Sequence, residues 1–454
     1  MKILIQVGQL LLSLSILIIL HDLGHFIFAR LFKTRVEKFY LFFNPWFSLF
    51  KVKKGETEYG IGWLPLGGYV KISGMIDESM DKEQLKQPPQ PYEFRSKPAW
   101  KRLLIMLGGV LVNVLLGIAI YSMILFKWGD KYLPNENLND GFWVTDSLMN
   151  EIGLRTGDKF VTIGGVTPVS FSDAVEEMLY SSEMVINRNG TDTTIQIPED
   201  FIGRISDNRI HYKGPLLLER QPFIIKSIPD SSQNSGSGLM PKDHIIRINE
   251  HPVKYFDQFY PIADSLRGQT VLATVIRNKE QLQLKLLINQ DAKLMVEPLF
   301  LDYDDLERFG YYQFATFKYT FLEAIPAGLV KAMEMLRSYL RGLKRMFDFK
   351  SGAHKAIGGF GAIGSLFPPV WDWQIFWSLT AFLSLMLAFL NILPIPALDG
   401  GHVAFLLYEI VTGRKPGDKF LEYAQLTGMF LLLMLLLYAN GNDLYRWILR
   451  LIGK

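Results

Sequence analysis

Apolar positions in this chain gather into four runs long enough to enter a hydrocarbon core, which takes roughly 20 residues. They run from about Ile3 to Phe28, Leu103 to Phe126, Ile375 to Leu393 and Leu426 to Tyr438, and each predicts a membrane span. The fourth is the shortest and borrows a turn from its neighbours. The first follows Lys2 as the core of a secretion signal would. It is too long for one, lacks an Ala-x-Ala cleavage site and carries histidines, so it reads as a retained span.

Between the second and third runs the pattern is that of a globular region, and it repeats. Gly153-Leu154-Arg155-Thr156-Gly157-Asp158-Lys159-Phe160-Val161 recurs as Gly238-Leu239-Met240-Pro241-Lys242-Asp243-His244-Ile245-Ile246, each copy predicting a turn followed by an alternating strand. The pattern resembles that of PDZ domains, and two domains of roughly 80 to 90 residues fit the region. The second copy has Lys242 where the first has Gly157. A PDZ groove takes an extended peptide as an added strand; the alternative is a pair of packing or filtering modules that bind no peptide. Beyond the repeat, Leu329, Ala332, Met333, Leu336, Leu340, Leu343 and Phe347 recur at helical spacing, opposite Lys331, Arg337, Arg341 and Lys344. Such a basic amphipathic helix is expected in the membrane interface, or else packed on the neighbouring domain.

The connection after the first run predicts short strands over 46–53, 57–63 and 69–73, with a turn at Lys53-Lys54-Gly55-Glu56. A glycine-rich, apolar sheet beside a span suggests one that dips into the bilayer against the protein. Its free edge would be a template for another strand.

Composition agrees with this division. The 454 residues include 48 Lys or Arg and 45 Asp or Glu, for a net charge of +3, which argues against nucleic acid as a partner. Charged residues make up only 20%, below the usual quarter, as expected when very apolar segments join ordinary globular ones. With no cysteine, disulfides, cysteine nucleophiles and thiolate metal sites are excluded. Lys and Arg flank the 31–100 connection and the short loop before the fourth span, which places both loops in the cytoplasm. Both termini and the 127–374 region are then outside.

Chemistry concentrates in two of the spans. His21-Asp22-Leu23-Gly24-His25 puts two imidazoles one turn apart on a single helical face, where both can reach one ion. Ionisable groups within a span cost a few kcal/mol each, so three within five residues call for compensation, and a divalent cation supplies it. A water-filled polar cluster is the alternative. A catalytic zinc site takes a third protein ligand and keeps an open position. Asp399 is the candidate, in Asn391-Ile392-Leu393-Pro394-Ile395-Pro396-Ala397-Leu398-Asp399-Gly400-Gly401, where two prolines break the helix at membrane depth. Taken alone, Asp399 would read as a helix cap.

These motifs together resemble the site-2 proteases, intramembrane zinc metalloproteases, and closely the regulator of sigma-E protease group with tandem PDZ domains. The family's His-Glu-x-x-His falls on 21–25, its Leu-Asp-Gly on 398–400, its Pro-Leu-Gly-Gly-Tyr-Val loop on 65–70 and its Asn-x-x-Pro-x-Pro on 391–396. The resemblance implies a polytopic α-helical membrane protein with four spans, a membrane-associated β-sheet and two extracytoplasmic PDZ (α+β) domains. Its parts are span one with the zinc motif (1–30), the re-entrant β region (31–100), span two (101–126), the PDZ domains (127–218 and 219–300), an amphipathic interfacial region (301–374), span three with the third ligand (375–400), a cytoplasmic loop (401–423), and span four with the tail (424–454).

The resemblance further implies Zn2+ held by His21, His25 and Asp399, with position 22 moving the proton. Asn391, Pro394 and Pro396 would contact substrate, as would a sheet edge at Tyr59, Gly60, Gly62, Gly67, Gly68, Tyr69 and Val70 that receives the unwound substrate strand. The implied partners are transmembrane segments of single-pass proteins, such as an anti-sigma factor or signal-peptide remnants, in a bacterial inner membrane, with the PDZ pair and both termini periplasmic. One departure stands out: the family's base is glutamate and this chain has Asp22, one methylene shorter. A compensated variant, a weakened enzyme and a non-catalytic PDZ scaffold with structural metal all remain open, and a metal transporter is a further rival. The Leu107-Gly108-Gly109-Val110-Leu111-Val112-Asn113 stretch follows the family's Gly-Pro-x-x-Asn form loosely; its glycines suit close helix packing, with Asn113 near the site as a secondary reading.

Overall fold

The computed structural model describes residues 2–65, 67–75, 88–208 and 214–452. Leu66 of the Pro-Leu-Gly-Gly loop, and positions 76–87 of the connection, lie outside the described residues. The chain divides into two units, one formed by 1–130, 318–347 and 356–454 and the other by 131–317 with 348–355.

Among the described residues of the first unit, four helices are long and apolar enough to cross a membrane. They are α1 (Lys2–Leu31), α2 (Ala99–Trp128), α4 (Trp373–Ile392) and α6 (Asp418–Leu451), with α3 (Phe321–Met346) and α5 (Asp399–Thr412) between them in the chain. Lipid offers no hydrophobic drive for helices to associate, so small residues and hydrogen bonds set the contacts. Gly24 of α1 meets the backbone of Gly108 in α2 with no room for a Cβ on either. Ser384 of α4 donates to the Asn113 carbonyl of α2 at 2.8 Å, and Thr380 to Ser13 of α1 at 3.0 Å.

Helix α3 is amphipathic, as its spacing predicts, and it packs through its smallest residues. Its buried positions are Ala324, Gly328 and Ala332, and Gly328 sits directly on Ser122 of α2. The packing face is therefore the small-residue stripe, while Leu329, Met333 and Phe347 stay exposed. The 301–374 stretch is accordingly not one region: 318–347 joins the helices, whereas 301–317 and 348–355 join the second unit. The 401–423 stretch, expected as a loop, is mostly helix, because α5 runs to Thr412 and α6 begins at Asp418. Span four is thus longer than its apolar run.

A four-stranded sheet follows α1, comprising β1 (Val36–Leu41), β2 (Phe50–Lys54), β3 (Thr57–Ile61) and β4 (Tyr69–Ile72) in the order β2-β3-β1-β4. The β2–β3 hairpin turns at Gly55, whose φ of +64° glycine adopts without penalty. Strand β1, unforeseen in the sequence, pairs parallel with β3 and antiparallel with β4. It therefore encloses β3, and Tyr59, Gly60 and Gly62 do not form an edge. Gly60 instead makes room for the Tyr40 ring, Gly62 for the Phe43 carbonyl, and Tyr59 packs against Phe26 and Phe39. Only the β4 part of the expected edge ends the sheet.

The second unit carries the repeat as a true structural duplication. In the first copy Lys159–Ile163 pairs with Glu183–Arg188, which pairs with Thr191–Gln196. In the second, His244–Ile248 pairs with Thr270–Arg277, which pairs with Glu280–Leu287. Each copy has its own apolar core, around Phe142, Phe160 and Ile186 in one and Phe223, Ile245 and Val275 in the other. The same clamp closes both. Asp158 is buried, accepts from the Arg155 N–H and pairs with Arg188 at 2.7 Å, and Arg188 also donates to the Gly153 carbonyl. Asp243 does the same with Met240, Arg277 and the Gly238 carbonyl. Lys242 takes φ +74° at the position where Gly157 takes φ +97°, so the departure in sequence leaves the turn intact.

Candidate metal centre

The helical spacing of His21 and His25 brings their Nε2 atoms to 3.2 Å, with the rings edge to face. Asp399 reaches the same point from the other end of the chain. Helix α4 stops at Ile392 because Pro394 and Pro396 cannot continue it. The chain then turns through Ala397, which adopts φ +77°, and starts α5 with Asp399. Gly400 and Gly401 lie against the 392–396 backbone with no space for side chains. The turn thereby delivers Asp399 Oδ2 to 3.2 Å from His21 Nε2 and 3.3 Å from His25 Nε2.

This triangle fits a metal. Tetrahedral zinc with bonds of about 2.0–2.1 Å holds neighbouring ligand atoms about 3.3 Å apart. Asp399 Oδ2 is buried and has no hydrogen-bond partner. A carboxylate left so in apolar surroundings calls for a cation. The cap reading of Asp399 is not met, since Leu398 holds the N-cap position and the Asp399 side chain faces the histidines.

The surroundings hold the ligands in place. His25 Nδ1 lies 2.9 Å from the Ile105 carbonyl of α2. Around His21, the Asn113 amide lies 3.1 Å from Nδ1 and the Asn391 amide 3.3 Å from Nε2. Helix α2 passes so close that a Cβ on Gly109 would stand 2.5 Å from both His21 Cε1 and His25 Nε2.

Asp22, His21, His25 and Asp399 line one cleft of about 670 Å³, whose other wall is Gly68 and β4, including Tyr69 and Val70. Asp22 abuts Gly68, where a Cβ would meet its Oδ2 at 2.7 Å. Of the residues expected at the site, the structure therefore brings together His21, Asp22, His25, Asp399, Asn391, Gly68, Tyr69 and Val70. Pro394 and Pro396 shape the turn that carries Asp399, and Gly67 lies against the Phe43 ring. Tyr59, Gly60 and Gly62 are inside the sheet and do not line the cleft. Gly109 and Gln425 were not anticipated, and Asn113 only as a secondary reading. The signal was present for one pair: Gly109 and Asn113 are four apart, on one face of α2. Gln425 accepts from the Ala397 N–H at 3.2 Å, and Gly428, one turn further along α6, packs on the Pro396 carbonyl.

Comparison with known proteins agrees with this geometry. The model of peptidase family M50 matches residues 9–435. A Thermotoga maritima protein is 25% identical over 96% of this chain and 98% of its own length. A Campylobacter jejuni protein is 29% identical over 96% of this chain and 92% of its own, and one from Ralstonia nicotianae 25% identical over 96% and 97%. All three bear the name "Putative zinc metalloprotease". With the match spanning the spans, the sheet and the three converging ligand atoms alike, the chain belongs to peptidase family M50, whose members are zinc-dependent.

Proposed function

We propose that this protein is an intramembrane zinc endopeptidase that hydrolyses peptide bonds within transmembrane segments of single-pass proteins, anti-sigma factors and signal-peptide remnants being the substrates its resemblance suggests. The observation that carries this is the single cleft in which His21, His25, Asp399 and Asp22 face the last strand of a sheet. Zinc held by His21, His25 and Asp399 supplies the Lewis acidity that activates water and polarises the scissile carbonyl. Asp22 takes the proton of the attacking water and returns it to the leaving amine. The Asn391 amide, beside His21, donates a hydrogen bond to the substrate backbone. A helical substrate keeps its peptide groups in its own ladder, so it must be extended before attack. Strand β4 re-satisfies that extended backbone by adding it to the sheet.

The duplicated unit forms two PDZ-like modules that filter or recruit substrates on the periplasmic side of a bacterial inner membrane, with both termini on that side. Asp22 is the feature that favours the rival reading, a membrane scaffold with a structural metal. Roughly 1 Å of misplacement costs about a hundredfold in rate. The test is cleavage of single-span reporters in membranes by this chain and by Asp22→Glu, side by side. Cleavage by either supports the protease. No cleavage by both, across several reporters and with zinc bound, would favour the scaffold.

A further inference from the structure

The hydrogen bonds around His21 are inconsistent as a set. A neutral imidazole has one N–H and one lone pair. Yet Asn113 Nδ2 lies 3.1 Å from His21 Nδ1, and Asn391 Nδ2 lies 3.3 Å from His21 Nε2. Two amide nitrogens cannot both donate to one such ring, so one of the amides faces His21 with its oxygen. The oxygen and nitrogen of an amide are nearly isosteric, and the hydrogen-bond network decides between them.

His25 shows which choice the site requires. A carbonyl oxygen only accepts, so the 2.9 Å contact with Ile105 places the proton on His25 Nδ1 and leaves Nε2 its lone pair. That lone pair points to where Asp399 Oδ2 and His21 Nε2 converge. If Asn113 donated to His21 Nδ1, the His21 proton would sit on Nε2, between the three ligand atoms. In that orientation Asn113 Oδ1 is buried and accepts nothing. Among the described residues, no hydrogen bond holds that oxygen away from His21.

We propose that Asn113 is a positioning residue: its side-chain oxygen accepts a hydrogen bond from His21 Nδ1–H and fixes the tautomer whose Nε2 is open to the metal. Asn391 Nδ2, 3.3 Å from Nε2, is then consistent with the same tautomer, since it can donate to that lone pair. This inference rests on His21, His25 and Asp399 being the zinc ligands. Asn113 is well placed for the task, being fully buried and having its backbone tied to α4 through Ser384.

The test measures zinc affinity of the full chain in nanodiscs by competition with a chelator, with Co2+ absorption as a second readout of the ligand set. Asn113→Asp keeps an accepting oxygen and should bind zinc within a few-fold of the parent. Asn113→Leu has similar volume but accepts nothing, and should bind about 10–100-fold more weakly, the usual loss when a histidine ligand loses its hydrogen-bond partner. Unchanged affinity in Asn113→Leu overturns the inference. So does equal loss in both variants, which would make packing at this position the cause. If the parent itself bound no zinc, the ligand assignment would be what fails.

Discussion

Replacing Gly109 by alanine adds one methyl group where the His21 and His25 rings leave no space. The new Cβ would stand 2.5 Å from His21 Cε1 and His25 Nε2, and 2.8 Å from His21 Nδ1. Carbon contacts are comfortable at about 3.5–4.0 Å, so the shortfall is about 1.0–1.5 Å. Helix α2 cannot retreat cheaply, because moving it from α1 gives up the close Gly108–Gly24 packing and presses it on α3 and α4, where Gly328 already sits on Ser122 and Ser384 bonds the Asn113 carbonyl. The rings must move instead. Overpacking of this kind costs about 1–3 kcal/mol, and about 1 Å of displacement in a reacting group costs about a hundredfold in rate. Gly117→Ala is the matched control. It lies on the same helix, and its Cβ would meet the end of the Leu385 side chain at 2.7 Å, a flexible group that can turn aside. Both variants should insert in membranes at parental levels. Gly109→Ala should lose zinc content and reporter cleavage together, by about a hundredfold in rate, while Gly117→Ala retains both within a few-fold. Parental zinc content and cleavage in Gly109→Ala would refute the close approach of α2 to the ligands.

Asp399→Asn should lower zinc occupancy by elemental analysis of the purified protein, and unchanged occupancy would remove Asp399 from the ligand set. Ile61→Pro falls in a strand enclosed on both sides, where proline takes away the one backbone donor of that residue and sets its ring against a neighbouring strand; the sheet should become protease-sensitive, and a variant that lost only helical-substrate cleavage would restore Ile61 to an edge. Burial holds the His244 imidazole below the ordinary histidine range. The unfolded chain then takes up the proton first, so this group's stabilisation is full above a pH of about 6.5 and is lost as pH falls below it. Hydrogen exchange in His244–Ile248, corrected for intrinsic rate, should be faster at about pH 5.5 than at 7.5 and flat in His244→Gln; no pH dependence in the parent would sink the assignment.

The parts legible in the sequence were those with a strong local period or an expensive group. Helical spacing placed His21 with His25, and the cost of an acid at membrane depth singled out Asp399. The turn-and-strand repeat showed itself at Gly153 and Gly238 because a buried Asp–Arg clamp demands the same residues twice. Strand β1 was missed because Arg35, Glu37 and Lys38 make it look like a charged flank; it buries Val36 and Tyr40, while Lys38 between them lines the cleft, so its burial does not alternate. The extent of α6 was missed because Asn440, Asn442 and Asp443 interrupt the apolar run. Those side chains bond the backbone at Phe360, Ile357, Gly359 and Ala362, a tertiary demand that no local pattern announces. In 107–113 the glycines read as packing residues, which left Asn113, 3.1 Å from His21 Nδ1, as a secondary reading.

The grip of α6 on the turn that carries Asp399 has a thermodynamic corollary. Among the described residues α6 contributes none of the three converging atoms, yet Gln425 and Gly428 hold Ala397 and Pro396, a short way before Asp399 in the chain. Any force that draws this helix away therefore weakens the donor set, and by linkage an occupied centre must resist that movement by the same free energy. An ion held by His21, His25 and Asp399 would thus also fasten α1 to the turn that α6 grips, and a chelator would act on that helix as well as on the chemistry.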